Sequence, residues 1–149
     1  MLFDAGPAPL GISHNSARLA VDWAAVDAMV LSHGHWDHAG GLCEALGRVR
    51  SARPDPAPPI PLYLHPGMFG QRGLTGPGGT VIPLERVPDP FQLAGAGAAP
   101  LVTTEPQSLL ANAFHLSGEI PRVTKYEALK HQVALVWEYP KYLKMVDWC

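Results

Sequence analysis

The sequence predicts an α/β fold on three observations. Residues 28–32 (AMVLS) form a short apolar run bounded by polar residues, as expected of a strand buried on both faces. A second strand candidate, residues 61–66 (PLYLHP), ends at a histidine. Between them Leu42, Leu46 and Val49 recur at helical spacing, with Arg48 and Arg50 at the end where cations suit the helix dipole. Strands alternating with helices imply a sheet covered by helices.

Taken in order, MLFDAG reads as a strand end turning at Asp4 and Gly6. Residues 13–27 read as one or two helical turns, with Asn15 as N-cap and Asp22 as a second cap before Trp23. The strand at 28–32 and the helix after it follow, and SARPDPAPPIP stops that helix. Residues 67–100 are mostly turn material: TVIPLERV holds a short strand and LAGAGAAP approaches low complexity. PLVTTEP is another short strand, FHLSGEIPRVTKYEAL is polar and turn-like, and HQVALVWEYP fits a strand of five or six residues. No internal repeat is visible.

With 149 residues the chain is long enough for one domain with a real core. The formal net charge of −2 offers no electrostatic footprint for nucleic acid. Charged residues are 16% of the chain, fewer than soluble domains usually carry, which suggests a face covered by a partner subunit or by more of the same domain. Cys43 and Cys149 provide no disulfide framework. Neither a signal peptide nor a membrane span is legible, so the expected location is the cytoplasm.

The chemistry concentrates in VLSHGHWDHAGGL, residues 30–42, where His33, His35, Asp37 and His38 lie within six positions. In an extended segment past a strand, His33 and His35 point to one side and begin a nitrogen site for zinc. Asp37 and His38, at the start of the next helix, supply an oxygen and a nitrogen to a second position. Gly34 lets the backbone turn between ligands, and Ala39, Gly40 and Gly41 let the helix start come close to the metals. The pattern suits two ions ~3.5–4 Å apart bridged by water. Metal-bound hydroxide would then be the nucleophile, with Asp37 ligating one ion and orienting it. Exposed loop histidines are the alternative; four donors directly between an apolar strand and a glycine pair argue for metal.

LSHGHWDHAGGL resembles the signature of the metallo-β-lactamase superfamily. With LFDAGP, LYLHP and SGEIPRVTKYE in this order, it is similar to the branch of dihydropterin-type ribofuranosylaminobenzene-phosphate synthases. The resemblance implies a four-layer αββα sandwich and a dinuclear centre. Zinc would be held by His33 and His35 at one ion and by Asp37 and His38 at the other, with manganese or iron as alternatives. It places Asp4 below the metals, orienting ligands through hydrogen bonds; a turn carboxylate accepting from its own backbone is the other reading. The branch also carries a later Gly-Cys-Ala-His segment and a final histidine, whereas after Glu127 this chain offers only His131. The expectation is therefore the N-terminal half of such a domain over residues 1–127, followed by a divergent tail, 128–149, of the kind a frameshift produces. The tail's Trp137, Tyr139, Tyr142 and Trp148 either cover apolar surface or result from that shift.

His65 is either a cleft residue or a strand-end histidine bonded to backbone. Arg122 is either an anchor for a substrate phosphate or carboxylate or an ordinary surface arginine. His115 faces the cleft or a surface loop, His14 and His131 are structural or solvated, and Cys43 is a small core residue. The expected function is a metal-dependent hydrolase acting on an ester, phosphoester or related bond of a small molecule, with a phosphorylated substrate and a homo-oligomer as options. A truncated, non-catalytic metal-binding fragment is one alternative. An RNA-processing nuclease is another, and the charge balance argues against it.

Overall fold

The computed structural model describes residues 1–121 and 123, and the backbone of Val133–Trp137. Four parallel strands form the main sheet: β1 (Leu2–Phe3), β2 (Met29–Val30), β3 (Ile60–Leu64) and β6 (Ala98–Val102), side by side in that order. The crossovers carry α1 (Pro9–Arg18), then α2 (Trp36–Ala39) and α3 (Leu42–Ala52), then α4 (Pro90–Gly95). Strands added in one direction by right-handed crossovers leave successive helices on the same face. Accordingly α1 packs on α3, and α3 on α4.

The register assigns side chains to the two faces. Leu2, Met29 and Leu62 lie opposite one another in one row, and Phe3, Val30, Tyr63 and Leu101 in the next. The first row, with Ile60 and Leu64, meets the apolar stripe of α3, where Leu42, Ala45, Leu46 and Val49 are almost wholly buried. Each such leucine contributes ~1.5–3 kcal/mol relative to an exposed one. On the second row, facing away from the helices, Phe3 keeps 56% of its surface exposed and Leu101 keeps 43%.

Beyond the main sheet, β4 (Gln71–Thr75) pairs antiparallel with β5 (Val81–Pro83) and with β9 (Val133–Trp137), and β7 (Gln107–Leu109) pairs with β8 (Phe114–Leu116). Among the described residues no helix is long and apolar enough to cross a membrane.

The strands expected at 28–32 and 61–66, the helix at 42–50 and the strand within HQVALVWEYP are all present. Other expectations need correction. The first helix starts at Pro9 and ends at Arg18, so Asn15 lies inside it and is not its cap. Its start is set by proline at the first helical position, where a missing N–H costs nothing. Asp22 does cap, accepting from Ala24 N at 3.0 Å at the head of a 3-10 turn, Trp23–Ala25. The helix α4 was hidden in a stretch rich in glycine and alanine. Its signal is the box formed by Asp89 and Gln92, each side chain accepting from the other's backbone N–H, at 2.8 and 2.9 Å. Cys43 is exposed, because the inward stripe of α3 is already filled by Leu42, Ala45, Leu46 and Val49.

Candidate metal centre

The residues of interest follow the carboxyl ends of parallel strands, where α/β sheets gather their functional loops. Asp4 follows β1, Ser32 and His33 follow β2, His65 follows β3, and Thr103 follows β6. Because β2 is central and short, the histidine segment leaves the sheet between the loops of its two neighbours.

Asp4 organises this segment. Its carboxylate accepts from Ser32 N and from Ser32 Oγ, each at 2.7 Å, and from His38 Nδ1 at 2.8 Å. Its backbone has φ 58°, a left-handed conformation that aspartate tolerates better than most residues but that still costs ~1–3 kcal/mol. Hydrogen bonds to a charged acceptor contribute ~1.5–3 kcal/mol each, enough to hold it there. The partners are on other elements, so Asp4 is no turn carboxylate serving its own backbone.

These contacts settle two tautomers. A carboxylate only accepts, so the single hydroxyl proton of Ser32 points to Asp4, and Ser32 Oγ accepts from His33 Nδ1 at 2.9 Å. His38 likewise spends its Nδ1 proton on Asp4. In their neutral forms both rings therefore carry their lone pair on Nε2, the arrangement a metal-binding imidazole needs. His33 is also the centre of the three rings, with centroids 4.1 Å from His38 and 4.6 Å from His35. Burial first, then the neighbouring His38 and His35, hold its pKa below the ordinary 6.5, against an opposing pull from Asp4 and Asp37. It is neutral at pH 7 and available as a ligand.

The donors fit zinc in kind and partly in place. Asp37 Oδ2 lies 3.8 Å from His38 Nε2. The edge of a tetrahedron with ~2.0–2.1 Å bonds is ~3.4 Å, so closing this pair on one ion needs a shift of under half an ångström. Among the described residues no three such side chains already surround a single metal-sized point.

The glycines act differently from expectation. A Cβ on Gly34 would stand 2.5 Å from both Cα and O of Met68 and 2.7 Å from Arg72 Nη1, so this glycine is required for a close approach rather than for a turn. Gly40 and Gly41 make room for the carbonyls of Pro7 and Ala5, not for metals. They seat the start of α3 against the Asp4 loop, where Ala5 N donates to His38 O at 2.8 Å.

His65 is bonded to backbone and stands at a cavity. Nδ1 accepts from Gly67 N at 3.1 Å, while Nε2 lies 3.6 Å from Glu119 Oε2, and the ring lines a cavity shared with His33. His115 lines the same cavity, next to Ser108 Oγ at 3.0 Å. His14 is exposed on α1. Arg122 and His131 lie outside the described residues. Ser32 and Arg72 were missed by sequence reasoning. The serine sits visibly between strand and first histidine, but Arg72 gives no local signal, since it acts on Gly34 across 38 positions.

A family model described as "Metallo-beta-lactamase superfamily" matches residues 1–107. A curated relative, 7,8-dihydropterin-6-methyl-4-(beta-D-ribofuranosyl)-aminobenzene-5'-phosphate synthase of Methanocaldococcus jannaschii, is 30% identical over 69 residues. That match covers 46% of this chain and 21% of the relative, so the chain spans about a fifth of that protein's length. The family match takes in the Asp4 loop, the histidine segment and all four parallel strands, and by it this chain belongs to the metallo-beta-lactamase superfamily.

Proposed function

We propose that His33, His35, Asp37 and His38 hold divalent metal, and that the chain serves a hydrolase cleaving an ester, phosphoester or related bond in a small molecule. The observation that supports this best is the Asp4–Ser32 anchor, which engages Nδ1 of both His33 and His38 and so leaves Nε2 of each to face a ligand. Zinc suits the mixed nitrogen and oxygen set, with manganese or iron as alternatives. When bound, such ions polarise the bond under attack and acidify the attacking water. The chain's own residues do the rest. Asp4 and Ser32 keep the imidazoles in one tautomer, and Asp37, half exposed, keeps an oxygen near His38 from which it orients water and accepts its proton.

The parallel sheet is, in this reading, one of the two sheets of an αββα sandwich, and the exposed Phe3 and Leu101 mark the face that the second sheet covers. Similarity to a synthase favours a variant of this chemistry in which the acceptor is a second substrate rather than water. A non-catalytic metal-binding domain is the alternative, favoured by the lack of three converged donors among the described residues.

Elemental analysis and zinc titration test the proposal. The hydrolase reading expects uptake of about two equivalents, lost in the double variant His33→Ala, His38→Ala. Uptake of about one equivalent without turnover of ester or phosphoester substrates would favour the binding domain. A folded protein that takes up no transition metal would remove both.

A further inference from the structure

Backbone contacts set the place of Glu119. Its N–H donates to Thr104 O at 2.8 Å. A Cβ on the preceding Gly118, whose φ is 71°, would stand 2.5 Å from that same oxygen. Thr103 N in turn donates to Leu64 O at 2.9 Å, so the segment rests on the carboxyl end of β3. The Glu119 carboxylate thereby comes to lie 3.6 Å from Nε2 of His65, and the two side chains are only 21% and 14% exposed, respectively. We propose that Glu119 is a positioning residue for the metal centre: acting through His65, it sets the place of Gly34 and of the donors on either side of it, while His65 itself is not a ligand. This rests on the proposed function in one respect, namely that His33 and His35 hold metal.

The protons come first. His65 Nδ1 accepts from Gly67 N at 3.1 Å, so in the neutral ring the proton is on Nε2. That nitrogen is shielded from solvent, where an N–H needs an acceptor. At 3.6 Å the carboxylate attracts it electrostatically without a full hydrogen bond, and the negative charge favours the tautomer protonated on Nε2. A ring engaged in this way gives its lone pair to the backbone and turns its proton toward Glu119. It could ligate a metal only by giving up one of these contacts. His33 and His38 are the reverse case, with Nδ1 engaged by Ser32 and Asp4.

The path to the donors is short. His65 caps the 3-10 turn Pro66–Phe69, and its carbonyl accepts from Met68 N at 3.0 Å. Met68 is the residue against which Gly34 lies with no room for a Cβ. Arg72 joins Gly34 O to Met68 O and Gly67 O. A rotation of the His65 ring therefore moves the turn, and the turn moves Gly34. Since Gly34 stands between His33 and His35, their spacing depends on the Glu119 carboxylate.

Three variants of the full chain test this: Glu119→Ala, His65→Ala, and Glu119→Gln, whose amide oxygen still accepts from Nε2–H. Zinc affinity, read by chelator competition, is expected to fall about tenfold in Glu119→Ala and in His65→Ala. The number of zinc equivalents stays unchanged, and Glu119→Gln recovers most of the loss. Glu119→Ala and His65→Ala together should weaken binding no further than either alone. Loss of a zinc equivalent in His65→Ala would make that histidine a ligand and overturn the proposal. Full zinc affinity in a destabilised Glu119→Ala, the sign of a purely structural role, would overturn it too. Metal-free protein gives a second readout. At about pH 8, where histidine is neutral, imidazole nitrogen resonances should show His65 protonated on Nε2 alone. Glu119→Ala should move the amide resonances of Gly34 and Gly67; Glu119→Gln, which loses only the charge, should move them less and serves if the alanine variant does not fold. A proton on Nδ1 of His65, or a Gly34 resonance untouched by either variant, would overturn the proposal. These spectra need no zinc, so failure of the coupling and failure of the metal reading are told apart.

Discussion

At the scale of single residues, Asp4 matters although it is not itself among the candidate metal donors. It holds the tautomer of His38 directly and that of His33 through Ser32. Asp4→Ala is expected to lower zinc affinity about 10–100-fold and to cost about 2–3 kcal/mol of stability, read by chelator competition and urea denaturation. Asp4→Asn, which keeps shape but loses charge, should fall between. His33 supplies a pH dependence. Its folded pKa lies below the ordinary 6.5, so as pH falls the unfolded chain takes up the proton first. The stability it provides is therefore complete above about pH 6.5 and is lost as pH drops through the folded value. The urea midpoint of metal-free protein should fall on going from about pH 7.5 to about pH 5.5. His33→Gln should flatten that slope, and an unchanged slope would contradict the assignment.

At the scale of elements, the histidine segment is held by two contacts that do not involve histidine. Gly34 lies directly against Met68, and Arg72 binds Gly34 O together with three carbonyls of the 67–70 segment. Gly34→Ala forces Met68 and the turn following β3 apart, at an expected cost of about 1–3 kcal/mol. Arg72→Met leaves several carbonyls without their donor, and a loss of about 3 kcal/mol is expected. Arg72→Lys should recover only part of it, since an ammonium cannot reproduce the planar fork. Thermal or urea unfolding checks all three, and a neutral Arg72→Met would remove the clamp from the account. Elements were legible to the degree that their signals were local. The stripe of α3 and the apolar runs of β2 and β3 show in a window of ten residues. By contrast, β4 and the β7–β8 hairpin are polar or glycine-rich and become strands through the partners they meet.

At the scale of the whole molecule, the proposed metal site ties binding to stability. A ligand bound only by the native state raises stability by ~2.7 kcal/mol at one hundred times its dissociation constant. Zinc should therefore raise the unfolding midpoint of this protein, chelator should reverse the rise, and the His33→Ala, His38→Ala double variant should not respond. A midpoint insensitive to zinc would argue against any site built from these donors.

The sequence by itself determined that four candidate donors lie together and that the fold is α/β. Four donors in six positions, and apolar periods of strand and helix on either side, are properties of neighbouring residues and survive in a linear reading. Only the tertiary structure decided which nitrogens carry protons, why Gly34 has no side chain, and which side chains share a cavity with His33. Those depend on residues some 30 to 85 positions apart in sequence, brought together because parallel strands place their carboxyl ends at one edge of the sheet. No local pattern encodes such a meeting.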